Sequence, residues 1–342
     1  MKFTWDEIDR HLLSTYDLFI CSASYEERCL SFLRNCPTGR LKESLICSIE
    51  EYDCYVSENL ALMKEILTEK KIKYSEVVLS HRDPITSTDK IISKLNHVLS
   101  EKGLDSVLID LTTFTHEMLL ILLRMFHDLF PSIKISFVYS NAGNYDQRKS
   151  ETKSVANSKW LSKGIAEIRS IIGYPGSPQP MNRTHLLIVV GYEYDRALSI
   201  ISEIEPASLS LAFGKSDSIT TEHKSDDKHY GAKEHFDKLT TAALAYFPED
   251  RFHKFEISCD NPTKTRDEIE SHLHSIEIDK YRHNIVIFAL NNKPSTLGVG
   301  LWGIENDNAQ LCYAPALIYN YENYSTTGNY CYFFENIFSK IK

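Results

Sequence analysis

Two short polar segments of the sequence carry side chains that could bind a ligand or transfer a proton. The segment "SASYEER", from Ser22 to Arg28, combines hydroxyl, carboxylate and guanidinium groups. The segment "DLTTFTHE", from Asp110 to Glu117, places threonine hydroxyls between two carboxylates and adds one imidazole. Such groups hydrogen-bond polar ligands, and a histidine or carboxylate can act as a general acid or base. The candidate ligand-binding residues of these segments are Ser22, Ser24, Tyr25, Glu26, Arg28, Asp110, Thr112, Thr113, Thr115, His116 and Glu117.

Each of these residues also has a structural interpretation. Ser24 and Thr115 are suitable N-caps for the helices that follow them, and Arg28 could fix its own helix by pairing with a neighbouring carboxylate. His116, at a helix start, could be a surface or packing residue. Asp110 is harder to explain in this way, because a carboxylate at the end of an apolar strand needs partners, which the neighbouring threonine hydroxyls supply.

The common enzymatic fingerprints are missing from the sequence. It contains no GxSxG, GxxxxGK[ST], GxGxxG or HExxH motif. The segment "TEHKSDDKHYGAKEH", from Thr221 to His235, is rich in His and Asp but lacks a fixed ligand spacing, which is typical of a solvated loop. We therefore predict no metal and no cofactor, and the sequence does not decide whether the protein is an enzyme.

Short apolar runs alternate with helical patterns in the first half of the chain. Continuous apolar strands separated by helices indicate a mainly parallel sheet covered on both faces, so this half is predicted to be a Rossmann-like α/β unit. The predicted strands lie near Leu18–Cys21, Ser44–Ser48, Glu76–Leu79, Ser106–Ile109 and Lys134–Tyr139. The predicted helices lie near Glu26–Leu33, Val56–Lys71, Thr88–Glu101 and Thr115–Leu129. Ligands of such sheets bind beyond the carboxyl ends of the strands, which is where both polar segments fall.

The second half of the chain repeats the first. At an offset of 168 residues, which places Arg28 on Arg196, "YDLFICSASYEERCLSFL" aligns with "THLLIVVGYEYDRALSII" without a gap. At an offset of 178, Pro84 falls on Pro262 and "DSVLIDLTTFT" falls on "HNIVIFALNNK". Repetition on this scale predicts two tandem Rossmann-like, doubly wound units that form a pseudo-two-fold internal duplication. The candidate ligand-binding residues of the second copy are Gly191, Tyr192, Arg196, Asn291, Asn292 and Lys293.

The repeat divides the chain into three parts. Residues 1–142 are expected to form the first unit and residues 184–342 the second. Residues 143–183 form a linker, in which apolar side chains at helical spacing predict a docking helix over Lys159–Ile172. The polar insertion "GKSDSITTEHKSDDKHYG" in the second copy predicts a loop or lid.

Composition restricts the class of protein and its partners. The chain has 342 residues, 42% of them apolar and 25% charged, as is typical of a soluble globular protein. Its formal net charge of −9 argues against general duplex-DNA binding, which depends on Lys and Arg neutralising phosphates. The eight cysteines form no CxxC pair and predict buried free thiols in a reducing cytosol. Without a signal segment or a run of about 18 apolar residues, we expect a cytoplasmic protein and no membrane partner.

The two segments and the duplication resemble the CARF and SAVED superfamily of Rossmann-like sensors of prokaryotic defence systems. In that family a small-residue turn follows the first strand and a D-x-T-x-x-T type motif follows the fourth. The sequences "CSAS" at Cys21–Ser24 and "DLTTFTHE" at Asp110–Glu117 resemble these motifs, and the tandem copies resemble the fused pair of SAVED. The family glycine is Phe114 here, and Phe288 stands in the second copy where the first has Asp110. We therefore expect the first copy to carry the sharper site.

The resemblance implies a nucleotide-derived ligand, such as a cyclic oligonucleotide, held in a cleft between the two units. It also implies a protein effector or complex partner, and some relatives cleave their ligand. The acidic residues Glu26, Glu27, Asp110 and Glu117 oppose a polyanionic ligand, because they would repel phosphates unless they face ribose or base edges.

Two other functions are compatible with the sequence. The same cleft could be the active site of a hydrolase acting on nucleotides or nucleosides, with His116, Glu117 or Asp110 as acid or base. Alternatively, the protein could be a non-catalytic assembly subunit of a multi-protein defence complex. Unrelated functions share this architecture, so the fold alone does not decide among the three.

Overall fold

Two compact units make up the protein. The computed structural model describes residues 1–145, 162–192, 194–215, 230–279, 281–319, 321 and 325–340. The first unit consists of Met1–Tyr145 and Tyr324–Ser339, and the second of Asp146–Asn323 and Lys340–Lys342. Each contains a mostly parallel sheet with helices between its strands, so the predicted fold class, two tandem Rossmann-like units, is confirmed.

The first unit is built, within the described residues, on a 7-stranded sheet. Its strands are β1 (Lys2–Thr4), β2 (Tyr16–Ser22), β3 (Leu41–Ile49), β4 (Lys73–Leu79), β5 (Ser106–Asp110), β6 (Lys134–Tyr145) and β15 (Ser325–Glu335). They are arranged in the order β1-β15-β6-β5-β2-β3-β4. Strands β2 to β6 pair in parallel, whereas β15 runs antiparallel to β6 and β1. Each strand predicted for this half lies within one of the observed strands.

The α-helices of the first unit lie between its strands, and α2 to α5 each follow a parallel strand. They are α1 (Ile8–His11), α2 (Ser31–Asn35), α3 (Asp53–Glu69), α4 (Pro84–Lys102) and α5 (His116–Leu129). The helix predicted at Glu26–Leu33 is instead a 3-10 turn at Glu27–Leu30 followed by the short α2. Met63 and Leu67 of α3 share one helical face and pack with Phe19 of β2 in the core, which is how the sequence periodicity positions this helix on the sheet.

The second unit has a 6-stranded sheet in the described part of the chain. Its strands are β8 (Arg169–Pro175), β9 (Arg183–Val189), β10 (Ser208–Gly214), β11 (Phe252–Ile257), β12 (His283–Ala289) and β13 (Gln310–Tyr313), in the order β11-β10-β9-β12-β13-β8. Its helices are α6 (Tyr194–Ile204), α7 (Tyr230–Tyr246), α8 (Pro262–Ser275) and α9 (Lys293–Glu305). The short strands β7 (Ser162–Lys163) and β14 (Ile318–Tyr319) pair with each other.

The two sheets share one strand order, which supports the internal duplication. The series β4-β3-β2-β5-β6-β15 corresponds to β11-β10-β9-β12-β13-β8, and the last strand of each series is antiparallel to its neighbour. Helices α4 and α8 both begin at a proline. At the same offset of 178 residues, Ser87 Oγ donates to Ser80 O at 3.1 Å and Thr265 Oγ1 donates to Ser258 O at 2.6 Å.

Each sheet contains an antiparallel strand that follows, in the sequence, the last parallel strand of the other sheet. After β6 the chain supplies β8 to the second sheet, and after β13 it supplies β15 to the first. The strand Ser325–Glu335 therefore lies in the first unit, whereas the sequence repeat assigned residues 184–342 to the second. The repeat could not reveal this difference, because a strand carries no local signal for the sheet that it joins.

The docking helix predicted over Lys159–Ile172 is wrong in its described part. Residues 159–161 lie outside the described residues, and residues 169–175 form the strand β8. Gly164 has a φ of 65°, in the left-handed region that a right-handed helix does not contain. Ile171 is buried where β8 pairs with β13, so its apolar spacing belongs to a strand whose partner is distant in sequence.

Further expectations can be compared only with the described residues. The polar insertion of the second copy falls mainly on residues 216–229, which lie outside them. Among the described side chains, no group of three or more His, Cys, Asp or Glu could hold a metal ion. None of the described helices has the length and apolar character that a membrane span requires. All eight cysteines are described and carry free thiols, seven of them buried and Cys54 exposed.

A chain of hydrogen-bonded histidine and serine side chains lies in the second unit. His185 Nε2 and His272 Nε2 lie 3.0 Å and 2.9 Å from Ser210 Oγ, and His185 Nδ1 lies 2.8 Å from Ser208 Oγ. Burial lowers the pKa of His185 to about 3 and the pKa of His272 to about 4. Both rings are therefore neutral at pH 7 and can bond the hydroxyls.

Candidate functional site

The two predicted polar segments lie at the carboxyl ends of neighbouring strands. β2 ends at Ser22 and β5 ends at Asp110, and the two strands are adjacent in the sheet. From β2 the chain continues through β3 to β4 and then returns to β5 on the other side of β2. The strand order therefore reverses between β2 and β5. Open α/β sheets bind ligands at such a reversal, next to the carboxyl ends of the two strands.

Hydrogen bonds join the loop after β5 to the loop after β2. Thr113 Oγ1 donates to Ser22 O at 2.7 Å. Within the loop after β2, Ser24 Oγ accepts from Glu26 N at 3.2 Å, and Asn59 Nδ2 of α3 donates to Ser24 O at 2.8 Å. Ser24 therefore stabilises a turn and is not the helix N-cap that the sequence allowed. The main chain of both loops is held in place by these bonds, which lowers the entropy lost on binding a ligand.

Asp110 is a buried carboxylate bonded by a neighbouring threonine. Thr112 donates through N, at 3.0 Å, and through Oγ1 to Asp110 Oδ1, and Thr112 Oγ1 accepts from Ser140 N at 2.9 Å. Asp110 is 3% exposed, and burial raises its pKa to about 6, although these hydrogen bonds and the charge of Arg28 act in the other direction. A carboxyl that titrates near neutral pH is typical of ligand-binding and catalytic sites.

Arg28 belongs to a buried ion pair that connects three elements. Arg28 Nη2 lies 2.6 Å from Glu26 Oε2, and the two side chains are 4% and 8% exposed. Arg28 Nη1 donates to Ser140 O of β6 at 3.1 Å, and Nε donates to Ser325 Oγ of β15 at 2.8 Å. Ser325 Oγ in turn donates to Glu26 Oε2. Arg28 therefore holds the loop after β2 against the sheet.

Arg196 makes a matching contact in the second unit. Its Nη2 donates to Ala314 O, directly after β13, at 2.6 Å, as Arg28 donates to a carbonyl of β6. Its guanidinium lies 6.0 Å from the ring centroid of Tyr313, and the side chain is buried. The sequence offset that pairs the two arginines thus extends to their contacts, which favours the structural interpretation of both.

The acidic residues after β2 and β5 are compensated. Glu26 is paired with Arg28, and Glu27 Oε1 lies 2.6 Å from Arg34 Nη1. Asp110 is buried. The phosphate repulsion that the sequence predicts is therefore weakened, because Glu26 and Glu27 are paired with arginines, and Asp110 and Glu117 are buried.

The rest of the second segment begins α5. Thr115 is the N-cap, since its Oγ1 accepts from Met118 N at 3.1 Å. His116 is half-buried and Glu117 is buried in the first turn. Phe114, at the position where the resembling family has glycine, is buried in the core. In this segment, Phe114 and Glu117 are therefore buried, whereas Thr115 and His116 are half-buried at the start of α5.

The second unit has the same loops with different side chains. Gly191, in the loop after β9, lies very close to the loop after β12. A Cβ atom at Gly191 would be 2.2 Å from Leu290 O. Asn291 Nδ2 donates to Val190 O at 2.7 Å, and Asn292 caps α9. The half-buried side chains of these loops are Tyr192, Asn291, Asn292 and Lys293.

The strand register corrects one detail of the repeat. The pairing of β2 with β5 and of β9 with β12 matches Asp110 with Ala289, one position after the Phe288 given by the sequence offset. Neither Ala289 nor Phe288 is a carboxylate, so in both alignments the second copy lacks a counterpart of Asp110.

Four residues at this edge of the first unit were not predicted from the sequence. Ser140 and Ser325 complete the ion-pair network described above. Tyr52 and His81 follow β3 and β4, and their rings join that of Tyr25, with centroid distances of 6.3 Å for Tyr25–Tyr52 and 5.0 Å for Tyr52–His81. Their position directly after predicted strands was the signal that could have found the two aromatic residues.

The substitution Asp110→Asn is expected to stabilise the protein at pH 7.5. The pKa of Asp110 is raised from 3.8 to about 6, so the folded state holds this proton more tightly than the unfolded state and loses stability as the pH rises towards and through 6. Asparagine avoids this loss, which is worth up to about 3 kcal/mol when a pKa rises from 3.8 to about 6. Thermal denaturation should show a gain at pH 7.5 that shrinks at pH 4.5.

Asp17→Asn is the matched control, with the opposite sign. Hydrogen bonds from Lys42, Asp105 N and Ser106 outweigh desolvation and lower the pKa of Asp17 to about 2. Its contribution is present above pH 4 and is lost as the pH falls through 2, so Asp17→Asn should destabilise the protein at pH 7.5. If the two substitutions changed the stability equally, Asp110 would not be a carboxylate whose pKa is raised by burial.

Comparison with known proteins shows a likeness in fold. No protein-family model matches the chain, and no curated protein matches it in sequence. Among solved structures, it is similar to the "Structure of a Type III CRISPR defence DNA nuclease activated by cyclic oligoadenylate", with a TM-score of 0.50 and 10% sequence identity. The match covers 86% of this chain and 65% of that chain, so this chain spans less than two thirds of the nuclease's length. The likeness shows that the two chains share a fold.

Proposed function

We propose that the protein is a sensor of prokaryotic antiviral defence that binds a nucleotide-derived signal, such as a cyclic oligonucleotide. The ligand contacts the loops after β2 and β5 of the first unit, and the loops after β9 and β12 are the candidates in the second. Binding is passed to an effector protein or to a partner in a defence complex.

The observation that carries the proposal is the convergence of the two polar segments at the reversal of strand order. The Thr113–Ser22 bond joins the loops there, and Asp110 ends the adjacent strand as a buried carboxylate. Hydroxyl groups such as that of the half-buried Thr113 suit ribose and base edges, and loops at the carboxyl ends of parallel strands provide main-chain N–H groups for phosphates. The shared fold with a nuclease that is activated by cyclic oligoadenylate supports this ligand class.

Ligand-induced thermal stabilisation tests the proposal. Cyclic tetra-adenylate at about 100 times its Kd should stabilise the wild-type protein by about 2.7 kcal/mol, which corresponds to several degrees. Thr113→Val should lose this shift, because it removes the bond that joins the loops, while the unliganded melting temperature stays within a few degrees. Differential scanning fluorimetry measures both.

Thr68→Val is the matched control for that experiment. Thr68 is exposed in the last turn of α3, where its Oγ1 donates to Lys64 O at 2.7 Å, and it precedes the amino end of β4. It should retain the full ligand shift. No shift of the wild-type protein with cyclic di-, tri-, tetra- or hexanucleotides would contradict the proposal. Lys293→Ala reports separately on the loops of the second copy.

A second candidate function is hydrolysis of a nucleotide, for which the half-buried His116 at the start of α5 is the candidate acid or base. Asp110, at the end of the strand before it, is buried, and burial raises its pKa to about 6. Product analysis after incubation with cyclic tetra-adenylate distinguishes the two functions. Turnover that is lost in Asp110→Asn and His116→Ala would assign catalysis to this segment, and binding without turnover would leave the sensor.

A further inference from the structure

Three aromatic side chains form a row across the carboxyl ends of three adjacent strands. Tyr25 comes three residues after the end of β2, Tyr52 three residues after the end of β3, and His81 two residues after the end of β4. The strands are neighbours in the order β2-β3-β4. The rings meet in edge-to-face contacts, with interplanar angles of 87° for Tyr25–Tyr52 and 63° for Tyr52–His81.

The row is fixed by polar contacts of the residues beside it. The carboxylate of Glu51, next to Tyr52, accepts from Ser80 Oγ at 2.6 Å and from His81 N and Arg82 N at 3.1 Å each. The loop that carries His81 is thereby bonded to the turn that carries Tyr52. The pKa of Glu51 is lowered by these hydrogen bonds, although burial opposes them, so its charge is retained at neutral pH.

The position of the row is not explained by core packing alone. Tyr25, Tyr52 and His81 are each half-buried, so each residue is partly accessible to solvent. Arg82 follows His81 and is exposed, so the loop that carries His81 also carries an exposed cation. In the second unit, the offset of 178 residues puts the buried Cys259 where the first unit has His81, so the row belongs to the first copy.

We infer that Tyr25, Tyr52 and His81 form a nucleobase subsite, on which a base of the ligand stacks while Arg82 contacts a phosphate. Aromatic faces stack with any base, and a guanidinium is suited to phosphate oxygens. The inference rests on the proposed function, because it assigns base recognition to the β2-β3-β4 side of the same loop edge.

Calorimetric titration of cyclic tetra-adenylate into the full chain tests the subsite. Tyr52→Leu should weaken binding by about tenfold to hundredfold, the size expected for one base stack. Tyr52→Phe keeps the ring and should bind as the wild type does. Tyr74→Leu makes the same change near the amino end of β4, where Tyr74 is exposed, and should leave the affinity unchanged. His81→Leu is a second variant with an expected loss of about tenfold.

The outcomes separate this inference from the proposed function. If the wild-type protein binds and both Tyr52→Leu and His81→Leu bind equally well, the subsite is wrong and the sensor stands. If the wild-type protein binds none of the cyclic oligonucleotides, the proposed function fails and the subsite with it. A loss in Tyr52→Leu that is matched in Tyr74→Leu or in Tyr52→Phe would also overturn the subsite, because stacking would not be its cause.

Discussion

A chain that ends at Tyr321 is expected to lose the folded first unit, although residues 1–145 are intact. The truncation removes β15, which pairs with both β6 and β1. It also removes Cys331, Tyr332, Phe333 and Phe334 from the core, where all four are buried. Burial of one such side chain is worth about 1.5–3 kcal/mol, so the loss is comparable to the whole stability of a domain, about 5–15 kcal/mol.

Soluble yield and thermal denaturation measure this effect, and a chain that ends at Ser339 is the control. The control keeps β15 complete and should melt within a few degrees of the full chain. A Tyr321 truncation that folds with an unchanged melting temperature would contradict the pairing of the C-terminal strand with the first sheet. Addition of a peptide spanning residues 324–339 should partly restore the truncated chain.

Arg28→Ala is expected to destabilise the protein by about 3–5 kcal/mol. The substitution leaves the buried carboxylate of Glu26 without its ion-pair partner, and removing one partner of a buried pair has a cost of this size. It also removes the bonds to Ser140 O and Ser325 Oγ, which link the loop after β2 to β6 and β15. Chemical denaturation of the unliganded protein measures the change.

Arg34→Ala is the matched control, because Arg34 makes an ion pair of the same length with Glu27. That pair lies at 2.6 Å with side chains 44% and 63% exposed, so its loss should be worth only about 0–1 kcal/mol. Glu26→Gln combined with Arg28→Met should recover part of the stability, since no unpaired charge is then buried. Equal effects of Arg28→Ala and Arg34→Ala would contradict the structural role of Arg28.

Local patterns in the sequence predicted the elements that hold the site. The apolar run around Phe19 and Ile20 must be a buried strand, and the polar residues that end it must lie at a sheet edge. The same reasoning placed Asp110 and Thr113 beside Ser22, because parallel strands bring their carboxyl ends together. The repeat predicted that Arg28 and Arg196 correspond, and their contacts agree.

Local sequence patterns did not predict which distant strands pair with each other. Nothing local in Ser325–Glu335 indicates that it joins β6, and the spacing around Ile171 fits a helix as well as the strand that β13 stabilises. Tyr52 and His81 were missed because an aromatic residue in a loop is usually interpreted as a packing residue. Their contact also depends on β3 and β4 being neighbours in the sheet. Strand pairing and ring contacts of this kind depend on residues that are far apart in the sequence, so local patterns do not predict them.

Isothermal titration calorimetry of the full chain with cyclic oligonucleotides is the most direct measurement of the proposed function. We predict saturable binding of at least one of them, with one ligand per chain, a micromolar or lower Kd, and affinity that falls as salt is added. Thr113→Val should abolish this heat, and Thr68→Val should retain it. Absence of binding by the folded wild-type protein across the cyclic di-, tri-, tetra- and hexanucleotides would contradict the assignment of a nucleotide sensor.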